Sequence, residues 1–524
     1  MSAMVDAATL KTWLSEPNEI ALLDVREHGQ YGEGHPFFAV PCPYSRLEGL
    51  LPYLAPSKST RIVLLDEADG VADKAAKRAA TLGYANVMTL EGGAPAWAAA
   101  GYTLFKGVNL PSKTFGELLE IARHTPRLSA AEVQDLQKSG KPHVIVDGRP
   151  FSEYAKFNIP GGICCPNGEL ALRIGTLAAD PDTVVVVNCA GRTRSILGAQ
   201  TLIDFGVPNP VYALENGTQG WFLAGLELEN GADRRADGNI PDDLADRRAR
   251  AEAFVATNAL PVATPEVVAG WIGGPDRTTY VFDVRTAEEF ARDGVPGTVH
   301  APGGQLVQAT DQWVGVRNAR IALIDDDGVR APLVCNWLRR MGHDAHILAG
   351  GVMAASELAA LLVDRITPTT PNSALQTLSP ADYAVLAVRP FTLDLRGSMA
   401  YRAAHIDGAT WAIRPRIGAI APVPNDACVL VADRTDIAEL AALDLRAAGI
   451  ADISRLSGSP SDWAAVGLDV VSSDRPADED AIDHLFFTHT RHAGDAAAAR
   501  QYLAWEVGLV DQLDEQERGV FRLD

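Results

Sequence analysis

An internal repeat constrains this chain more than any other feature. A short apolar run ending in Asp-x-Arg occurs four times, at Ala21 to Arg26, Val144 to Arg149, Tyr280 to Arg285 and Phe391 to Arg396. In three copies a second apolar run ends at a fixed interval. Asp24 lies 42 residues before Asp66, Asp147 lies 42 before Cys189, and Asp283 lies 42 before Asp325. A glycine follows 17 residues later each time, at Gly83, Gly206 and Gly342, while in the fourth copy Gly449 places Ala432 at the matching point. A strand and a Gly-rich turn then lead to an aromatic in Leu90 to Trp97, Leu214 to Trp221 and Leu456 to Trp463; after Leu348 the third copy carries Met353 in its place. Self-similarity at a fixed period marks an array of one repeated unit.

Within each unit, short apolar runs alternate with longer amphipathic stretches, the pattern of parallel strands covered by helices. The expected fold is therefore α/β: four tandem units, each a mainly parallel sheet flanked by helices, and a helical C-terminal tail. Polar and Pro-containing stretches place the units at 1–112, 126–232, 259–366 and 376–473, with a linker at 233–258 and the tail at 474–524. Several units are also what 524 residues require, because a single core rarely grows past roughly 250–300 residues.

Apolar residues at 47 % and charged residues at 22 % describe a globular chain. Lys plus Arg number 46 against 67 Asp plus Glu, a net charge of −21, which argues against a nucleic-acid or anionic-membrane surface. A small anion in a locally basic pocket remains compatible with it. Six cysteines without a CxxC pair read as reduced thiols rather than a disulfide scaffold or a zinc ribbon. No apolar run approaches the ~20 residues of a membrane helix, and Met1 to Asp6 lacks the basic start and apolar core of a signal peptide. The expectation is a soluble, cytoplasmic protein with no metal and no cofactor.

Only the second copy has a nucleophile at the central position, in the stretch Val187 to Ser195. Cys189 follows a run of valines and Asn188, and precedes a helix expected to start near Ser195. That is the strand-to-helix turn at the carboxyl edge of a parallel sheet, where such folds bind their ligands. Turn amides and a helix N-terminus concentrate positive potential there, and Arg192 and Arg194 add full charges. All of these favour a thiolate. A buried structural cysteine followed by two surface arginines is the plainer alternative; the glycine, the arginines and the position after the strand weigh against it.

The copy resembles the rhodanese (sulfurtransferase) superfamily. Asp147-Gly-Arg149, Glu153-Tyr154, Ile159-Pro-Gly-Gly162, the Cys189 loop and Asn216 to Trp221 match that family's landmarks, most completely over 128–232. The resemblance implies that Cys189 carries sulfur and that Ala190, Gly191, Arg192, Thr193, Arg194 and Ser195 cradle the persulfide. Asp147 and Arg149 would be structural, and Arg173 and Trp221 supporting. Four residues between Cys189 and Arg194 give the six-residue loop of sulfurtransferases; related phosphatases have five, so that activity is the weaker reading. The implied reaction is double displacement. A sulfane sulfur moves from thiosulfate or a persulfide to Cys189, and from there to cyanide, glutathione or another thiol. Arg192 and Arg194 would pair with the anionic donor. A protein-to-protein sulfur relay is the alternative from another class, with a protein acceptor, and 3-mercaptopyruvate as donor is a weaker one.

Asp66, Asp325 and Ala432 stand where the thiol would be, so the first, third and fourth copies are expected to be silent. Asp66 to Asp69 and Asp325 to Asp327 would also repel an anionic donor. Cys164 and Cys165 read as packing residues, with a resolving-thiol role as the hypothesis to test; Cys42, Cys335 and Cys428 also read as packing. His484, His489 and His492 read as a solvated helix rather than a metal face.

Overall fold

The computed structural model describes residues 3–274, 277–363, 375–420, 426–489 and 494–523. They form four five-stranded sheets, one per repeat, in which every strand pairing is parallel. Each sheet has the spatial order first, fifth, fourth, second, third. In the second copy that order is Arg127–Leu128, Val211–Leu214, Val184–Asn188, His143–Asp147 and Ile163–Cys164. The fourth copy adds a small antiparallel pair, His405–Ile406 with Val470–Val471.

The valine-rich strands are apolar throughout because both faces of each sheet are covered. In the second copy Val144, Val146, Val185 and Val187 point into one core with Leu202 and Ile174. Ile145 and Val186 point into the other with Val133, Ile159 and Trp221. Trp221 is anchored by its indole N–H, which donates to the Glu227 carbonyl (2.9 Å). The third copy differs from the sequence expectation here. The seven-residue spacing from the strand's last leucine leads to Ala355, which is buried, whereas Met353 is 82 % exposed. A smaller side chain fills the aromatic's place, and Met353 lies on the solvent side of the helix.

The chain divides into two compact units, one pairing the first and last repeats and the other the two middle ones. One comprises Met1–Trp13, Ala21–Val108 and Thr367–Phe486, the other Leu14–Ile20, Asn109–Ile366 and Phe487–Asp524. In the first unit, copies one and four meet through Arg414, whose two terminal nitrogens donate to both oxygens of Glu48 (2.6 and 2.7 Å). In the second unit, copies two and three approach at Gly168 and Gly304, where a Cβ on Gly168 would stand 2.6 Å from the Gly304 nitrogen. Arg330 of copy three donates to Glu169 of copy two (2.9 Å), and the Trp337 indole donates to Thr201 (2.8 Å).

The stretch between copies one and two is a helix, Leu110–Arg123, and Leu244–Thr257 is a helix in the linker between copies two and three. The tail holds the helix Ala496–Val507, capped by Asp495, whose carboxylate accepts from the Ala497 and Ala498 amides. Among the described residues no helix is long and apolar enough to cross a membrane.

Candidate active site

The strand Val184–Asn188 runs in register beside His143–Asp147, which sets Asp147 opposite Asn188 and brings Cys189 to the carboxyl edge of the sheet. Asn188 donates to Asp147 (2.9 Å), and Asp147 takes the Arg149 guanidinium through both oxygens (2.8 and 2.6 Å). Asp147 and Arg149 are buried and tie the strand ends together beneath the loop. The loop then turns into the helix Thr193–Asp204. Cys189 is buried at its start, and its Sγ donates to Ser195 Oγ (3.5 Å), which itself donates to the Arg192 carbonyl (2.8 Å).

The loop's carbonyls face the helix Gly217–Leu223. The amides of Thr218 and Gln219 donate to the carbonyls of Cys189 (2.8 Å) and Ala190 (3.2 Å). Gly217 has φ +54°, and a Cβ on it would lie 2.2 Å from the Cys189 oxygen. This approach explains the Gly-rich turn of the repeat, since Gly93 and Gly351 stand equally close to the carbonyls of Asp66 (2.4 Å) and Asp325 (2.1 Å). We predict that Gly217→Ala displaces the loop. Stability should fall by about 1–3 kcal/mol from the left-handed backbone alone. Unchanged hydrogen-exchange protection of the Thr218 and Gln219 amides in that variant would dissociate the turn from the loop.

The two arginines have carboxylate partners. Arg194 is held through both terminal nitrogens by Glu153 (2.8 Å each). Burial works against its charge, and Glu153 more than offsets this. Arg192, expected beside the donor, has its guanidinium engaged elsewhere. It donates to both oxygens of Glu117 (2.7 and 2.9 Å), to Glu120, and to Asn216 (3.2 Å). Glu117 and Glu120 come from the helix Leu110–Arg123, outside the repeat, and their i, i+3 spacing on one helix face was the available sequence signal. The tail helix adds Glu506, which accepts from Thr193 Oγ1 (2.9 Å) and from Lys113 Nζ (3.3 Å). Lys113 also donates to Tyr502. No local pattern marks Glu506, so reading the sequence missed it.

The corresponding loops of copies one and three hold a carboxylate on their own amides. In copy one, Asp66 folds back over its own loop, with Oδ1 accepting from the Ala68 amide (3.0 Å) and Oδ2 from those of Gly70 (3.1 Å) and Ala72 (3.0 Å). In copy three, Asp325 accepts from the Gly328 (3.1 Å) and Ala331 (2.8 Å) amides. At the same offsets the second copy has the amides of Gly191, Arg192, Thr193 and Ser195, the last of which donates to the Arg192 carbonyl (3.1 Å). The residue after this central position also differs. Glu67 and Asp326 accept from Nη1 of Arg26 (2.6 Å) and of Arg285 (3.1 Å). Ala190 cannot, and Arg149 Nη1 has no acceptor among the described residues.

Burial, followed by the neighbouring Asp327, pushes the Asp325 carboxyl up to about 7 from 3.8. The folded copy therefore keeps a proton that the unfolded chain releases near pH 4. Its contribution to stability is most favourable below about 4, is lost as pH rises through about 7, and is level above that. Asp325→Asn should flatten this fall, read as hydrogen-exchange protection of Arg320–Ile324 against pH; an identical pH dependence in wild type and variant would refute it.

The remaining cysteines are packing residues in their surroundings. Cys164 donates to the Arg149 carbonyl (3.5 Å), and burial pushes its thiol up to about 12; Cys165 is enclosed in the sheet core and is also pushed up by burial. Cys335 and Cys428 are pushed up to about 12 by burial, and Cys42 is pushed up as well. Arg173, expected as a supporting residue, is buried. It donates to Glu169 (3.2 Å) and to the Asn239 carbonyl. His484 packs edge-on to Phe486; His489 and His492 lie outside the residues whose side chains are described. No cluster of metal-ligating side chains occurs among the described residues.

A family model described as "Rhodanese-like domain" matches residues 6–100, 129–224 and 264–357, more than half of the chain. The crystal structure of a thiosulfate sulfurtransferase from Pseudomonas aeruginosa is 39 % identical, with 99 % of each chain covered and a TM-score of 0.87. Among curated proteins, an HTH-type transcriptional regulator of Mycobacterium tuberculosis, Rv0324, is 33 % identical over 105 residues; this is 20 % of this chain, which spans 45 % of that relative. With three matched repeats, a parallel sheet order common to all four copies and a whole-chain structural counterpart, the chain belongs to the rhodanese-like family.

Proposed function

We propose that this protein is a sulfurtransferase that takes a sulfane sulfur onto Cys189 and passes it to a thiophilic acceptor by double displacement. The observation that carries this reading is the contrast between the loops. Asp66 and Asp325 set carboxyl oxygens on loop amides. The second copy presents a thiol to the same kind of loop. An outer sulfur on Cys189 Sγ stands the same number of bonds from Cα as an aspartate Oδ, so the amides that hold a carboxyl oxygen suit a persulfide. The whole-chain likeness to a thiosulfate sulfurtransferase supports thiosulfate as donor.

In the first half-reaction the Cys189 thiolate attacks the outer sulfur of thiosulfate. The new S–S bond forms as the old one breaks, and sulfite leaves with the bonding pair. In the second, cyanide or a thiolate attacks the outer sulfur of the persulfide, and the bonding pair returns to Cys189 as thiolate. No external oxidant or reductant enters. The loop amides stabilise the negative sulfur throughout. Arg194, neutralised by Glu153, holds the loop's geometry, and Arg192 does the same through Glu117 and Glu120. In copies one and three the loop amides are already occupied, which with the missing thiol makes those copies silent; copy four has Ala432.

Intact mass spectrometry after thiosulfate treatment tests the reading. We expect wild type to gain one sulfur atom and Cys189→Ser to gain none. A gain that survives in the variant would move the site to another cysteine.

A further inference from the structure

The Cys189 loop is held from outside its own repeat, at two residues that set it apart from the other three loops. The tail helix Ala496–Val507 buries Glu506 against it, where Oε1 accepts from Thr193 Oγ1 (2.9 Å) and from Lys113 Nζ (3.3 Å). A Cβ on Gly191 would stand 2.9 Å from Glu506 Oε2 and 3.6 Å from Tyr502 Cε1. The Gly191 backbone lies outside the left-handed region, so the closeness of the tail, not conformation, calls for a glycine there. Thr193 begins the helix Thr193–Asp204, and its Cγ2 is 3.0 Å from where a Cβ on Gly116 would stand, in the helix Leu110–Arg123. At the same offsets from the central residue stand Ala68 and Gly70 in copy one, Asp327 and Val329 in copy three, and Arg434 and Asp436 in copy four. The copy with the thiol is the one that combines the glycine with the hydroxyl.

Resting on the sulfurtransferase reading, we propose that Glu506 is a positioning residue of the sulfur site and that the tail helix latches the Cys189 loop through it. With Gly191 and Thr193 fixed, the first turn of the helix keeps Ser195 Oγ on Cys189 Sγ (3.5 Å) and the loop amides around the outer sulfur. Lys113 pairs with the carboxylate, so the latch adds no net charge beside an anionic donor. A tail outside the repeats thereby becomes part of the one site that carries a thiol.

The test uses the full-length protein and two readouts. Cys189 is 2 % exposed, so iodoacetamide reaches it only as the loop opens, and that reaction needs no sulfur transfer. Peptide mapping of Cys164 and Cys165, both buried, reports general unfolding in the same samples. Turnover of thiosulfate with cyanide gives kcat/KM. The loss of a hydrogen bond to a charged group predicts a change of about 10-fold. In Glu506→Ala, alkylation of Cys189 should rise and kcat/KM should fall by that factor, while Cys164 and Cys165 stay protected. Because Glu506→Ala also strands the Lys113 ammonium, Thr193→Val is the second variant; valine stands at this position in copy three, so the turn accepts it. Thr193→Val should reproduce both changes, and Glu506→Gln, which keeps an acceptor for Thr193, should stay within about 3-fold of wild type. The double variant should lose no more than either single one, since both remove the same contact. Wild-type alkylation and turnover in Glu506→Ala and Thr193→Val, losses that add in the double variant, or alkylation of Cys164 and Cys165 rising with that of Cys189 would each overturn the proposal. Absence of thiocyanate from wild type would instead overturn the sulfurtransferase reading, and the alkylation contrast would still test the latch.

Discussion

Replacing Cys189 by serine should lower thiosulfate turnover by about 10³-fold or more while leaving the fold in place. Sulfur transfer requires an atom that is both a good nucleophile and a good leaving group at sulfur, and a serine oxygen is neither under neutral conditions. Nothing else in the loop substitutes for it. The other cysteines of the second copy, Cys164 and Cys165, have thiols pushed up by burial and sit under the sheet edge or in its core. Structurally the exchange is mild. Cys189 Sγ makes its side-chain hydrogen bond to Ser195 Oγ (3.5 Å), and a serine hydroxyl can approach the same partner. The melting temperature should therefore move by only a few degrees, the shift of about 1 kcal/mol in a chain of this size. Retention of more than about a tenth of wild-type turnover would contradict the assignment of Cys189 as the sulfur carrier.

Asp147→Ala should be among the most destabilising single substitutions in the second copy. Asp147 and Arg149 side chains are each 1 % exposed, and Asp147 receives the guanidinium, the Arg149 amide and the Asn188 side chain together. Removing the carboxylate strands a buried cation and an amide donor at once. Breaking a buried pair from one side typically costs about 3–5 kcal/mol, because the remaining charge loses its partner without regaining water. Asp147→Asn keeps an acceptor and should cost less. Hydrogen exchange across His143–Asp147 and Val184–Asn188 would read the loss, and the same substitution at Asp24, Asp283 or Asp394 provides controls in copies without the thiol. A variant that loses turnover but keeps its exchange protection would make Asp147 a direct participant in the chemistry rather than a support for the strand ends.

Much of this architecture is legible in the sequence, for a local reason. Strand runs, the Asp-x-Arg pair and the Gly-rich turn all act within about a hundred residues, and their spacings are set by strand length and helix length, which recur whenever the unit recurs. The intervals from Asp147 to Cys189 and on to Gly206 placed the thiol at the end of the strand Val184–Asn188, where it stands. The missed position, Met353 for Ala355, came from matching residue size where only the helical register decided which side chain faces the core.

What the tertiary structure alone decided is who meets whom. Copies one and four share one compact unit, and copies two and three share the other with the tail. Arg192 is taken by Glu117 and Glu120, the latter 72 residues away, and Thr193 by Glu506, 313 residues away. A repeat's own hydrophobic pattern is satisfied within the repeat and carries no record of such partners. A charged side chain also reads the same in sequence whether it faces an anionic ligand or a carboxylate. The loops of Asp66 and Asp325 make the point physically: each acid reads as a repelling charge in sequence, and each is held in the structure by the amides of its own loop. The sequence by itself determined the unit, its count and the one copy with a thiol at the central position, because these follow from local spacing and residue type. The surroundings of that thiol were decided by long-range packing, where the free energy of burying each charge selects its partner.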